Sequence, residues 1–335
     1  MFRLTAVTTV LLLLGAAGCS DQEPEKAEPA AGAARESPSA TARQTPSKPA
    51  PKAPSTAPPE TLAPSQVPEV LADAVENGPT RPRNAAQVAA QIMAAETAIA
   101  DPATEPEVLA AAGHVQQLAY RVLGKHPEWD ARVRAAVHPG LRSVVTDNVR
   151  SRREFRAMHR RLSDTLPAWR IVRPAPAEQL RSHYRQAERR FGVDWEYLAA
   201  INLVETGMGR IRGTSVAGAQ GPMQFIPSTW EAYGRGDINS PRDSIMAAAR
   251  YLRAQGFNRP GGIARALYRY NNSNRYVRGV THLAKVMERR PRAFFGYYHW
   301  EIYYLSKHGD VLLPVGYEAL DPIPVKRWLA ANPQA

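Results

Sequence analysis

Glu205 is the side chain best placed for chemistry in this 335-residue sequence. With Leu198, Ile201 and Asn202 it falls at i, i+3, i+4 and i+7, so it follows a largely apolar helix face inward. It lies in the last turn, just ahead of Gly207 and Gly209. The negative end of the helix dipole and an apolar surround both oppose ionisation there. A glutamate so placed keeps its proton near neutral pH and suits general acid catalysis. The position also fits an exposed glutamate at a helix end, and the spacing by itself leaves both open.

Other chemistry-bearing patterns fall short. Gly207, Gly209 and Gly213 miss the dinucleotide fingerprint by one residue and follow a helix instead of a strand. Gly213 to Gly218 has one residue too many for a nucleophile elbow. The eight histidines are scattered without an HExxH pair, and one cysteine excludes CxxC sites and a disulfide framework. No metal or organic cofactor is implied. Ser228 with Glu231 reads as a capping box, and Asp237 and Asp243 read as cap or turn residues.

The elements that must position Glu205 read as helices. Residues 177–191 make one helix, closed by Gly192, and Asp194 sits at the N-cap position of the next. Ser240 followed by Pro241 opens another helix that stops near Gly256, and two more fit 261–270 and 275–290. Earlier helices fit 85–100 and 106–123. Residues 142–162 carry seven arginines and read either as a solvated face or as a contact for an anionic polymer. Leu166 to Pro176, with three prolines around Trp169, reads as a linker. No good strand signal precedes residue 294. Beyond it, aromatic and β-branched residues fit a short hairpin or an extended tail.

The N-terminus reads as an address. Arg3, the apolar run Leu4 to Leu14 and the small residues Ala16, Ala17 and Gly18 make a secretory signal, too short for a stable membrane span. Cys19 directly after them resembles a bacterial lipobox, which implies cleavage before Cys19 and a lipid on its sulfur. Residues 21–70 hold eleven prolines and eleven alanines, and no aromatic residue occurs between Ser20 and Tyr120. Such a stretch cannot offset its ordering entropy and reads as a tether reaching on the order of 150 Å. Removing this tether and Arg3 from the net charge of +12 leaves +13 on residues 71–335, which points to an anionic partner. Secretion argues against nucleic acid.

Residues 204–230 read VETGMGRIRGTSVAGAQGPMQFIPSTW, and 264–272 read ARALYRYNN, followed by YVRGV. This resembles the soluble lytic transglycosylase (SLT) family, with actinobacterial lipoprotein members the most alike. The matching positions are Glu205, Ser215, Gly218, Ala219, Gly221, Met223, Gln224, Pro227, Tyr270 and Asn271. Thr206 stands where Ser is commoner, and Pro222 where Leu is. The resemblance covers roughly residues 177–290 and implies Glu205 as the catalytic acid/base. It implies Ser215, Gln224, Tyr270 and Asn271 as residues lining a cleft for peptidoglycan. Tyr270 is expected to orient Glu205 or to stack on a sugar ring. The aromatic residues around Glu301 read either as more of that cleft or as packing of a C-terminal extension.

The sequence thus predicts a mainly α protein, with a lysozyme-like helical catalytic domain, an N-terminal helical appendage and a short aromatic C-terminal extension. The expected divisions are a signal peptide at 1–18, a lipidated tether at 19–75, the appendage at 76–175, the catalytic domain at 176–290 and the extension at 291–335. The resemblance implies cleavage of MurNAc-β-1,4-GlcNAc bonds with 1,6-anhydroMurNAc ends, at an extracytoplasmic membrane surface reached through Cys19. The alternatives are a hydrolytic muramidase on the same fold and a non-catalytic wall-binding lipoprotein.

Overall fold

The computed structural model describes residues 68–333 apart from 216. The signal, Cys19 and almost all of the expected tether lie outside the described residues. The chain is mainly helical. The first helices are α1 (Glu69–Asn77), α2 (Ala85–Ala100), α3 (Pro106–Lys125), α4 (Asp130–Ala136) and α5 (Arg142–Arg156). Then come α6 (Ala177–Phe191), α7 (Trp195–Thr206), α8 (Pro227–Tyr233) and α9 (Pro241–Ala254). The series closes with α10 (Gly262–Tyr270), α11 (Asn274–Arg289), α12 (Ala293–Tyr298) and α13 (Val325–Ala331). Helix α1 starts inside the stretch expected as tether. Its Leu71 and Ala74 are buried in one cluster with Ala95, Ile99, Ala112 and Val115 of α2 and α3, which offsets the cost of ordering it.

Helix α7 is the centre. Trp195 and every residue from Leu198 to Thr206 are buried, so the helix is enclosed on all sides rather than on the one face its apolar spacing marks. Trp195 lies under the Arg185 guanidinium at 4.7 Å from the ring centroid and edge-on to Phe294. Asp194 occupies the N-cap position but makes no side-chain cap bond. Glu188 of α6 accepts the Trp195 N–H instead, at 3.2 Å. The capping box expected from Ser228 and Glu231 is also absent. Helix α8 begins two residues earlier, at Pro227, whose missing N–H and fixed φ suit the first helical position, so Ser228 falls inside the first turn. The Ser240 cap does form, onto the Asp243 N–H.

Helix α11 packs on α7 and on α5. Phe155 and Val144 of α5 belong to the same core cluster as α7, α9 and α11. Ser151 Oγ donates to the Gly279 carbonyl at 2.9 Å. Gly279 is required for this approach, because a Cβ there would stand 2.5 Å from the Phe155 ring. At the surface Glu154 holds Arg278 at 2.7 Å, and within the contact Asp147 holds His282 at 2.7 Å. The arginine-rich helix is therefore more than a solvated face. It ends at Arg156, with Arg153 paired to Asp130 and Arg152 turned inward near Asp310.

Two strands, β1 (Thr165–Leu166) and β2 (Arg170–Ile171), lie at the start of the expected linker and within it. The others are β3 (Ile211–Arg212), β4 (Ile302–Ser306), β5 (Gly309–Leu313) and β6 (Ile323–Pro324). Strand β1 pairs antiparallel with β6, and β2 with β3. Pairs two residues long leave no period to read, which is why sequence reasoning missed them. β4 and β5 form a hairpin whose register closes at Ser306 opposite Gly309. Trp169, Ile171, Ile211, Tyr304, Val311 and Tyr317 make a second core beneath these strands.

Gly279→Ala should lower stability by about 1–3 kcal/mol, the usual cost of overpacking. Urea denaturation should show part of that loss recovered when Phe155→Leu is added.

Candidate active site

Glu205 is fully buried at the C-terminal end of α7. Its Oε1 accepts a hydrogen bond from the Tyr276 hydroxyl of α11 at 2.8 Å. Its Oε2 has no partner among the described residues. Burial pushes the Glu205 carboxyl up to about 8, against a smaller lowering by the Tyr276 hydrogen bond. No second carboxylate contributes to that shift. The acid is therefore protonated at neutral pH. With Oε1 engaged by Tyr276, Oε2 is the carboxyl oxygen without a partner.

The loop that follows is held to α7 by a buried polar network. Asn202 Nδ2 donates to the Pro222 carbonyl at 2.8 Å, and Thr206 Oγ1 donates to the same carbonyl at 2.6 Å. Tyr184 donates to Asn202 Oδ1 at 2.6 Å, and the Gly209 N–H donates to Thr206 Oγ1 at 3.1 Å. Threonine at 206 thus supplies the hydroxyl a serine would. Pro222 keeps the carbonyl both donors need, and its missing N–H is not called on.

The Ser215 N–H donates to the Ala219 carbonyl at 2.9 Å, and Ser215 Oγ accepts the Ala219 N–H at 2.9 Å. Ser215 therefore closes its own loop. Gly221 has φ +73°, and a Cβ there would lie 2.1 Å from the Ile238 carbonyl oxygen. Gln224 holds φ +51°, a left-handed conformation that costs a non-glycine residue about 1 kcal/mol or more. Its Nε2 donates to the Gly221 carbonyl at 3.0 Å, while its buried Oε1 is unpartnered.

Tyr270, at the end of α10, donates to the Met223 carbonyl at 2.6 Å. It lies parallel to Tyr276 with ring centroids 6.5 Å apart. Burial, then the nearby Glu205 charge, push both phenols well above their ordinary range. The hydroxyl that reaches Glu205 is thus that of Tyr276, and the Tyr270 hydroxyl instead pins the loop carrying Gln224. Asn271 is buried just past α10, its carbonyl accepting the Ser273 N–H at 2.6 Å. Tyr276 was missed as a site residue although it stands in the segment YVRGV. Its one local signal is its place three residues after Ser273, which caps α11 onto the Tyr276 N–H.

An open cleft of about 650 Å³ runs beside this loop, lined by Arg170, Arg212, Thr214, Gln220 and Gly221. Arg170 and Arg212 are cross-strand partners on β2 and β3. No carboxylate among the described residues forms an ion pair with either. The aromatic residues around Glu301 belong to the packed interior. Tyr297, Tyr303 and Tyr304 are buried, and Trp300 Nε1 donates to Gln116 Oε1 at 2.9 Å. Glu301 itself is tied through its backbone to Gln117. Cys19 lies outside the described residues, and no group that could hold a metal ion occurs among those described.

A mainly helical, lysozyme-like fold with one buried acid at the end of its central helix defines the class. Residues 182–290 match the family model described as the transglycosylase SLT domain, so the chain carries an SLT domain that includes Glu205, Ser215, Gln224, Tyr270 and Asn271. Over 128 residues it is 30% identical to the membrane-bound lytic murein transglycosylase F of Thiobacillus denitrificans, a match covering 36% of this chain and 27% of that protein. The chain thus spans about a quarter of the length of that relative.

Two outcomes follow from Glu205. Its folded-state affinity for a proton is raised, so its contribution to stability is complete below about pH 4.5 and is lost as pH rises through about 8. Glu205→Gln should melt with the wild type near pH 4.5 and increasingly above it by pH 8.5 in a calorimetric series. Tyr276→Phe removes the interaction that lowers the pKa. The alkaline limb of kcat/KM should then move to higher pH while kcat falls about 10-fold or more from lost positioning.

Proposed function

We propose that this protein is a peptidoglycan lytic transglycosylase. The observation that carries the reading is a single buried carboxyl within the SLT match, its pKa raised to about 8 by burial and one of its oxygens unpartnered, with no second carboxylate acting on it. Most glycosidases need two carboxyl groups, one as nucleophile or to activate water. With one, the chemistry must be assisted by the substrate. Glu205 Oε2–H protonates the glycosidic oxygen between MurNAc and GlcNAc, and the C1–O bond breaks. The substrate's N-acetyl oxygen stabilises the positive charge at C1. The Glu205 carboxylate then takes the proton of the MurNAc C6 hydroxyl as that oxygen bonds to C1. The product is a 1,6-anhydro end, no water is consumed, and Glu205 regains its proton.

The other residues support binding. Gln224 Oε1, buried and unpartnered, can accept an N-acetyl N–H. Tyr270, Asn271 and Ser215 shape the wall around it. Arg170 and Arg212 give the adjoining cleft a positive field that suits a glycan bearing carboxylates.

The enzyme would work outside the cytoplasm. Residues 1–18 would be cleaved and Cys19 lipidated, with the following residues as a tether. Lipidation is supported by the lipobox-like segment. No helix among the described residues is long and apolar enough to cross a membrane. The 76–175 helices and residues 291–335 would brace the 176–290 domain, a reading supported by the packing of α5 into the core of α7.

Mass spectrometry of digested peptidoglycan tests the reaction. Wild type should yield muropeptides one water lighter than hydrolysis products, and Glu205→Gln should yield none. Reducing-end products would instead mark a muramidase. Unchanged function in vivo with Glu205→Gln would mark a binding protein.

A further inference from the structure

Strands β2 and β3 pair over two residues, and their register sets Arg170 opposite Arg212 and Ile171 opposite Ile211. Side chains alternate between the faces of such a pair, so the isoleucines share one face and the arginines the other. The isoleucines are buried in the second core, whereas Arg170 is exposed and Arg212 half-buried. The Ile171 N–H donates to the Tyr317 carbonyl at 2.8 Å, and the Val172 N–H to the Arg210 carbonyl at 3.0 Å, so β2 is held on both sides.

Like charges directly opposite each other on an antiparallel pair repel, because opposed Cβ atoms stand only about 5 Å apart. Burial, then the Arg170 charge, lower the Arg212 pKa, against a smaller rise from Asp237. Neither arginine has an ion pair among the described residues. Glu318 stands opposite Arg170 on its other side, but it is exposed and outside the lining of the cleft. Arg212 Nη1 has the Asn239 carbonyl at 3.4 Å, a long contact with a neutral acceptor. Most donors of both forks therefore remain for a molecule in the cleft of about 650 Å³ that the two arginines line. Gln220 and Gly221 also line it, just ahead of Pro222, whose carbonyl Asn202 and Thr206 fix to the helix of Glu205.

We infer that, with peptidoglycan as the substrate of the Glu205 site, Arg170 and Arg212 bind a carboxylate of the peptide borne by MurNAc and so select peptide-bearing over stripped glycan. Where the lactyl carboxyl is bonded to peptide the sugars are neutral, so the negative charge lies on the peptide. Paired guanidinium forks suit a carboxylate, whose two oxygens can accept from both. The cleft is open and large enough for peptide residues beside the sugar-binding loop. Arg170 precedes the SLT match at 182–290, so this selectivity is added to the domain by a strand outside it.

Isothermal titration calorimetry of the full-length chain carrying Glu205→Gln tests this, since ligands then bind without being cut. One ligand is a soluble glycan oligomer that keeps its peptides. The other is the same oligomer after amidase treatment, which leaves a free carboxylate on each lactyl group. Adding Arg170→Gln or Arg212→Gln should weaken binding of the peptide-bearing oligomer about 10-fold or more and change that of the stripped one less than about 2-fold. Arg132→Gln, at an exposed position outside the cleft, should change neither. Both cleft variants should melt at or above the parent's temperature, because a repelling charge has gone. Should Arg212→Gln fail to fold, Arg170→Gln decides by itself. Unchanged affinity for the peptide-bearing oligomer would overturn the assignment. An equal loss with both oligomers would overturn it in favour of the lactyl carboxylate. The reaction is read separately, with Glu205 intact. Reducing-end products, or none, would sink the transglycosylase reading, while arginine-dependent binding of the peptide-bearing oligomer would stand.

Discussion

Keeping Glu205 dry is the constraint on which the rest depends. A carboxyl in water is ionised at neutral pH and cannot protonate a glycosidic oxygen. Enclosure of α7 on all sides removes that water, and no cation among the described residues draws the proton off again. The enclosing shell is made by α6, α9, α11 and α12, whose apolar faces share one core cluster with α7. The Tyr276 hydrogen bond opposes the shift but fixes the carboxyl's orientation. Positioning and acidity are thus set by different partners: the phenol orients, and the apolar shell holds the proton.

The same enclosure makes the loop beyond α7 expensive to misplace. Asn202 and Thr206 are buried polar side chains, and their bonds to the Pro222 carbonyl satisfy them and the loop together. The network therefore acts as a register mark between the acid and the loop. Gln224 in a left-handed conformation is strain that this framework tolerates. Its unpartnered oxygen is a second unfavourable feature at the same residue. Two such costs on one side chain fit a site prepared for a ligand's N–H.

The flanking segments bear on the site through packing. Phe155 enters the core of α7, and Gly279 exists to let it in. The β4–β5 hairpin returns to α3 and α5 through Asp310, which buries one carboxylate among several cations. Burial alone would raise that carboxyl's pKa, yet Arg121, Arg152 and Lys125 hold it far below the ordinary range. The β1–β6 pair joins chain before the SLT match to chain after it, and the β2–β3 pair joins chain before it to its interior at the cleft's basic edge.

Much of this was legible in the sequence. The i, i+3, i+4, i+7 spacing marked the inward course of Glu205, and the Ser240–Pro241 start of α9 was readable from capping chemistry. Motif order marked Gln224 and Tyr270 as neighbours of the acid. These are local signals, carried by residues a few positions apart. The hydroxyl on Glu205 was not legible, because Tyr276 and Tyr270 stand six positions apart on consecutive helices and only the packing of α11 against α7 selects between them. The capping box lost to a local competitor, Pro227 at the first helical position, whereas the two-residue strands and the helix inside the expected tether share another cause. Both were decided by contacts between residues far apart in the chain, where tertiary burial outweighs local propensity. The sequence by itself determined which residue types were available for the chemistry. The tertiary structure decided which of them lost their water and which found a partner, since desolvation and pairing are properties of the packed chain alone.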